Sequence, residues 1–293
     1  MIDSFLKYLQ YERRVSPHTV LAYRNDLEQF ASYISSTFPD NTIKDVEYGI
    51  VRAWIIQLVE QQIEPRSVNR KIASLRTFYK FLMRQEIITK NPMLKIRVLK
   101  TSRKLPGFVK EGDMTTMLDG DGFDQSLEGL RNKLILELFY GTGIRLSELL
   151  TLKECDVDIK KRTIKVLGKR NKERVIPFSA SLVSVLEDYR SLRNRTVSSK
   201  DHGLLLVTDQ GEACYSMMIY RLVKKYLGTY TSSDKKSPHV LRHTYATHLL
   251  DKGAEINAVK DLLGHSSLAA TQVYTHNSME KLKKAFDQAH PKA

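Results

Sequence analysis

The sequence predicts a mainly α protein of two domains, an N-terminal four-helix unit and a C-terminal mixed α/β unit with a small β-sheet. Three observations carry this. Apolar residues recur at helical spacing through the first hundred positions. The stretch RTIKVLGKRNKERVIPF switches to β-branched residues around a Gly/Lys/Asn turn, a hairpin signature. Between these regions lies MLKIRVLKTSRKLPGFVKEGDM, basic, without a strong period and holding a Pro-Gly turn signal, which suits a linker. With 293 residues, 42% of them hydrophobic, the chain exceeds the usual size of one domain and can bury a sizeable core.

Taken in order, Ile2, Phe5, Leu6 and Leu9 make the first stripe. Val20, Leu21, Tyr23, Leu27, Phe30, Tyr33 and Ile34 make the second, which starts at Ser16-Pro17, a helix cap followed by a proline at the first helical position, where no amide is needed. Val51, Trp54, Ile55 and Leu58 form the third, and Val68, Ile72, Leu75, Phe78, Tyr79 and Leu82 the fourth, which ends near Asn91-Pro92. The boundaries expected from this are residues 1–98 for the first domain, 99–107 for the linker and 108–293 for the second. There, RNKLILELFYGTGIRLSELLTL reads as a helix, a break at Gly141-Thr142-Gly143 and a helix entered at Arg145 to Ser147. The hairpin follows, and then helices near 179–194, 215–229, 239–252, 255–263 and 278–288.

Charge narrows the class of partner. The formal net charge is +14, which makes a polyanion, nucleic acid first, the leading candidate. From Arg66 to Lys104 the chain carries twelve cations against one anion, Glu86. A solvated helix face is the commoner fate of a charge run, but this one would repel itself without a counter-charge, and DNA phosphate would supply it. Arg66, Arg70, Lys71, Arg76, Lys100, Arg103 and Lys104 are the candidate DNA-binding residues, and affinity through them should fall steeply with salt. Cys155 and Cys214 stand without CxxC spacing, which points to a reducing compartment. The N-terminus lacks the order of a signal peptide and no apolar run approaches 18 residues, so a soluble, cytoplasmic protein without membrane contact is expected.

Candidate chemistries separate on their residues. Gly168-Lys169 is followed by Arg170, and position 163 is not glycine, so no P-loop is present. His239 and His243 have zinc-ligand spacing, with His248 and His265 nearby, yet position 240 is Val where HExxH needs Glu, and Arg242 would repel a dication. Acidic residues are too scattered for a two-metal centre. No metal and no cofactor are expected. What remains is a set of cations suited to phosphate. An arginine fork grips two non-bridging oxygens, so Arg145 and Arg242 together could neutralise a pentavalent phosphorus without metal. Arg145 follows the Gly-Thr-Gly break at a helix start, where amides favour an anion, and Arg242 emerges among Val240, Leu241, Tyr245, Ala246 and Leu249, where its burial calls for an anionic partner. Tyr274, nine residues after His265, is the candidate nucleophile in that positive field, although core packing is the fate of most of the 14 tyrosines.

The set GTGIRLSEL, LGKRNKERVIPF, PHVLRHTYATHLL, LLGHSSLAATQVYTH and the ending AHPKA resembles the tyrosine recombinases, specifically the Xer type. SPHTVLAYRNDL and SVNRKIASLRTFYKFL extend the resemblance to that family's N-terminal core-binding, SAM-like domain, so it covers the whole chain. The resemblance implies two domains that form a C-shaped clamp around duplex DNA. It places Arg145, Lys169, His239, Arg242, His265 and Tyr274 on the catalytic positions. The implied chemistry is attack by tyrosine on a phosphodiester, leaving a 3′-phosphotyrosine and a free 5′-hydroxyl. Both arginines and His265 hold the phosphate, His239 assists removal of the tyrosine proton, and Lys169 protonates the departing oxygen. Arg170 stands where the family hairpin often has a second glycine, which leaves Lys172 as an alternative acid. By the resemblance the chain is expected to start at the first core helix, without the arm-site domain common in phage and conjugative-transposon integrases. The resemblance therefore implies resolution of chromosome dimers at a dif-like site through a Holliday junction, by a homo- or heterotetramer with a second recombinase and an FtsK-type DNA translocase as regulator. It also implies that the C-terminal segment, with Met279, Leu282, Ala285 and Phe286 in a stripe, docks on a neighbouring protomer, a terminal helix packed within the chain being the alternative. A transposon or phage-type integrase, a type IB topoisomerase-like enzyme and a DNA-binding protein with an idle site are the alternatives.

Overall fold

The computed structural model of the chain describes residues 1–101, 107–168, 173–197, 203–264 and 286–292, and it divides into two units, Met1–Lys104 and Leu105–Ala293. Among its described residues the first unit holds four helices, α1 (Ile2–Lys7, continued by a π-helical turn, Tyr8–Glu12), α2 (Pro17–Thr37), α3 (Tyr48–Glu60) and α4 (Pro65–Arg84). Ser16 caps α2 as its sequence indicates, its Oγ accepting from the Thr19 amide. Phe5, Leu9, Leu27, Phe30, Trp54, Leu75, Phe78 and Tyr79 are buried together in one core. Leu21 departs from the expected stripe and is exposed. It lies one position past Val20 and so turns about 100° from the buried face. After α4 the chain stays attached to it. Met93 and Ile96 enter the core, Asn69 exchanges two hydrogen bonds with the backbone of Leu99 (2.8 and 2.9 Å), and Arg76 donates to the Ile96 carbonyl.

The cation run on α4 has a counter-charge that its own stretch of sequence does not contain. Asp26 of α2 is fully buried and accepts from Arg70 Nη1 (2.5 Å), Lys71 Nζ (3.1 Å) and Ser74 Oγ (2.8 Å). Lys71 also donates to Gln29 Oε1, and its side chain is only 12% exposed, so its ammonium is engaged within the unit, while Arg70 stays half exposed. Asp26→Asn should therefore lower unfolding stability by about 2 kcal/mol, because it removes the charge that two cations face. Chemical denaturation of the variant beside wild type measures it, and an unchanged midpoint would mean the two cations are held by solvent instead.

The second unit is built around α6 (Leu127–Thr142), which is buried along nearly its whole length and so is packed on all sides. Around it lie α5 (Glu111–Asp119), α7 (Leu146–Leu150), α8 (Ala180–Thr196), α9 (Ser216–Tyr230), α10 (Pro238–Asp251) and α11 (Ile256–Leu263). One antiparallel sheet of order β1-β2-β3 (Val157–Asp158, Thr163–Leu167, Glu173–Pro177) completes it, with Ile164 opposite Ile176 and Val166 opposite Arg174. The hairpin and the helices from α8 to α11 lie where the sequence pattern puts them. α6 runs on through Gly141 and Thr142 and ends at Gly143, whose φ of 59° is left-handed.

The C-terminal residues 286–292 sit on the chain's own second unit. Phe286 is fully buried and stacks on His290, which also packs against the rings of Tyr140 and Tyr245. His290 Nε2 donates to the Tyr140 carbonyl, and its Nδ1 accepts from the Lys292 amide, which fixes the neutral tautomer. Burial pushes its pKa down to about 4. Lys292 Nζ reaches Glu137 Oε1 (2.6 Å) and Asp119 Oδ1 (2.8 Å), so the tail supplies the partner of a carboxylate buried in α6. Met279, Leu282 and Ala285 of the expected docking stripe lie outside the described residues. Among the described residues no helix is long and apolar enough to cross a membrane.

Candidate active site

Arg242 lies in α10, whose first helical position is Pro238, with its side chain between turns that bury Val240, Leu241 and Tyr245. The residue is 8% exposed, and its guanidinium donates to the carbonyls of Gly143 and Leu263. This corrects the expectation that burial of Arg242 calls for an anionic partner: two main-chain oxygens, freed where α6 and α11 end, receive it. They do not neutralise it. Burial above all, with Arg145 and Arg174 close by, pushes its pKa down to about 9, so the guanidinium stays charged at neutral pH but is short of a counter-anion.

Arg145 converges on the same place. It precedes the short α7 and donates from Nη2 to the Gly264 carbonyl (2.7 Å) and from Nη1 to Glu148 Oε1 (2.7 Å). Its own amide donates to Glu148 Oε2 (2.8 Å), so the anion held at the start of α7 is a side chain of the protein itself. A third arginine, Arg174 of β3, is buried beside them. Its Nη1 and Nη2 grip both oxygens of Glu148 (2.6 and 2.8 Å), and its Nε donates to the Leu262 carbonyl (3.0 Å). The carbonyls of Leu262, Leu263 and Gly264, at the negative end of α11, thus each receive a different arginine. Burial alone would raise the Glu148 carboxyl, but the Arg174 fork and then Arg145 outweigh it and hold the pKa at about 2. The sequence reading passed over both Glu148 and Arg174.

Two glycines make the convergence possible. A Cβ on Gly143 would stand 2.5 Å from Tyr245 Cδ1 and 3.0 Å from Leu263 Cδ2, and one on Gly264, also left-handed at φ 62°, 2.9 Å from Arg174 Cδ. Gly143→Ala is expected to cost about 2–3 kcal/mol, from left-handed strain plus overpacking against the Tyr245 ring. Thermal unfolding of that variant tests this, and a melting temperature equal to that of wild type would mean the ring can step aside. Tyr245 itself is fully buried, and its hydroxyl has no hydrogen-bond partner among the described residues.

The remaining candidates divide. His239, in the first turn of α10 and three positions before Arg242, is exposed. His248 is buried and turned away to the Tyr140 hydroxyl (3.0 Å). Lys169, His265 and Tyr274 lie outside the described residues, as do Lys172, Arg103 and Lys104. The described chain reaches the neighbours of two of them, since β2 and β3 flank Lys169 and Gly264 directly precedes His265. Among the described residues no group of three His, Cys, Asp or Glu could hold a metal ion.

Comparison with known proteins places this arrangement. Residues 114–281 match the Phage integrase family, and residues 2–86 match the Phage integrase N-terminal SAM-like domain. The chain belongs to the phage integrase family. Its curated relatives include Tyrosine recombinase XerC of Oceanobacillus iheyensis, 39% identical over 295 residues, which cover all of this chain and 96% of the relative. Another is Tyrosine recombinase XerC of Chlorobaculum parvum, 36% identical over 317 residues, covering 100% and 94%. The protein is accordingly a tyrosine-type site-specific recombinase. Among solved structures, XerH site-specific recombinase bound to a palindromic difH substrate aligns with a TM-score of 0.75 at 23% identity, over 97% of this chain and 82% of that one. The Tn1549 transposon integrase in complex with transposon right-end DNA aligns with a TM-score of 0.72 at 18% identity, over 98% and 99%. At such identities the likeness shows a shared fold.

Proposed function

We propose that this recombinase cuts and rejoins duplex DNA with Tyr274, exchanging strands through a Holliday junction to resolve chromosome dimers at a dif-like site in the cytoplasm. The observation that carries the reading is the meeting of Arg145 and Arg242 at the end of α11, one residue before His265. A scissile phosphate set there takes the donors that now rest on carbonyls and supplies the anion that Arg242 lacks. The Tyr274 phenol oxygen forms a bond to phosphorus as the bond to the 5′-oxygen breaks. His239 assists removal of the phenol proton, Lys169 delivers a proton to the departing 5′-oxygen, and His265 helps to hold the phosphate. The phosphodiester becomes a 3′-phosphotyrosine of similar energy, so religation to a new 5′-hydroxyl needs no nucleotide.

Whole-length similarity to proteins named XerC supports the chromosomal role. In this reading the enzyme works as a tetramer on DNA, with a second recombinase as partner and an FtsK-type translocase as regulator. Arg66, Arg70, Arg76, Lys100, Arg103 and Lys104 contact the phosphates flanking the cut in this reading, whereas Lys71 supports them from the Asp26 cluster. The test is a nicked duplex carrying a dif-like site, incubated with the protein in EDTA, digested with protease and mapped by mass spectrometry. A nucleotide on the peptide containing Tyr274 is the expected result. A metal requirement or attachment at another residue would overturn it.

A further inference from the structure

Arg174 stands at an unusual place for a charged residue. It shares the inward face of β3 with Ile176, faces Val166 across the pair, and is 4% exposed. An arginine at that position of a strand carries a desolvation cost that only matched partners offset. Its partners are the two oxygens of Glu148 and the carbonyl of Leu262. Glu148 is thereby saturated: Oε1 accepts from Arg145 Nη1 and Arg174 Nη1, and Oε2 from the Arg145 amide and Arg174 Nη2. The same side chain lies against the Gly264 backbone, at the left-handed turn that leads into His265. It also sits on the return strand of the hairpin whose loop carries Lys169.

We infer that Arg174 is a positioning residue for the cleavage step, orienting Arg145 through Glu148 and fixing the end of α11 from which His265 departs. The inference rests on the reading of Tyr274 as nucleophile. Its logic is competition for donors. A buried carboxylate paired with Arg145 alone would draw that guanidinium onto both its oxygens and away from a substrate phosphate. With Arg174 taking half of its acceptor capacity, Glu148 holds Arg145 by one terminal nitrogen and the amide. Arg145, about one-fifth exposed, keeps donors for the phosphate. Arg174 is too deeply buried to do so itself. Lysine cannot substitute fully, since a point charge on a flexible stem does not span two carboxylate oxygens and a carbonyl together.

The test uses the full chain on the nicked duplex in EDTA, with single-turnover cleavage at saturating DNA measured apart from the dissociation constant. Arg174→Gln should slow cleavage by about 10²-fold, the scale of a loss of alignment at a reacting centre, and leave DNA affinity unchanged. In a Glu148→Gln background the same change should add little, since both residues act on one guanidinium. A duplex with a methylphosphonate at the scissile position, which lacks the charge Arg145 would neutralise, should narrow the gap between Arg174→Gln and wild type. If Arg174→Gln does not fold, Arg174→Lys serves instead, with cleavage roughly tenfold slower at unchanged affinity. Losses at Arg174 and Glu148 that multiply, a gap as wide on methylphosphonate, or wild-type cleavage by Arg174→Lys would each overturn the inference. Failure of wild type to form an adduct at Tyr274 would instead overturn the reading beneath it.

Discussion

Arg242→Gln is expected to slow strand cleavage by about 10²- to 10³-fold, the loss seen when one preorganised donor to a developing oxyanion is removed. The resting structure explains why the effect should fall on the chemical step. Arg242 is buried, bonded to two carbonyls and beside two other guanidinium groups, an environment that lowers its pKa to about 9 by burial first and by those neighbours second. Its interaction with carbonyl dipoles is a weak substitute for an anion, so in the proposed mechanism its stabilising power is held in reserve until charge builds on the phosphorus. Glutamine retains an amide that can reach one of the two carbonyls, which limits the structural loss, but it brings no charge. On the proposed reading duplex affinity rests on the cations of α4 and the segment after it, so it should change little. Single-turnover cleavage on a nicked duplex, set beside a gel-shift titration, separates the two. Equal losses in both would make Arg242 a prop for the ends of α6 and α11 and remove it from the chemistry.

What the sequence disclosed, and what it hid, follows from the range of the signals. Helical periodicity, the Ser16-Pro17 start and the β-branched hairpin are local, and they placed α1 to α4, α6 to α11 and the β2–β3 hairpin, but neither α5, which begins in the stretch without a strong period, nor the two-residue β1. Arg242 could be picked out because its neighbours in α10 are apolar. The partners of these cations come from far along the chain. Asp26 stands 44 residues before Arg70, so the stretch from Arg66 to Lys104 looks like twelve charges against one until α2 folds onto α4. The carbonyls at 262–264 carry no side-chain signature at all. Two signals were available and passed over: Glu148, three positions after Arg145 at the start of a helix, and Arg174, at an inward position in a strand whose alternate residue is Ile176.

Glu148→Gln should be the most damaging single change to stability in the site, on the order of 3–5 kcal/mol, because it leaves a buried cluster of like charges without its carboxylate. Among the described residues Glu148 is the one acidic side chain bonded to Arg145 or Arg174, and Arg242 is bonded to none. The amide that replaces it keeps one acceptor oxygen and turns an NH₂ toward guanidinium hydrogens. The pH dependence has a definite sign. The carboxyl is held at about 2, below its ordinary 4.5, so its contribution is complete above that ordinary value and is lost as pH falls from there toward 2. The gap in stability between wild type and variant should therefore be constant from neutral pH down to about 5 and close below it. Sulfate offers an independent check, since an anion bound by the uncovered arginines stabilises the folded state by mass action. It should raise the melting temperature of Glu148→Gln more than that of wild type. Equal responses to sulfate would mean that the arginines have moved too far apart to hold one anion together.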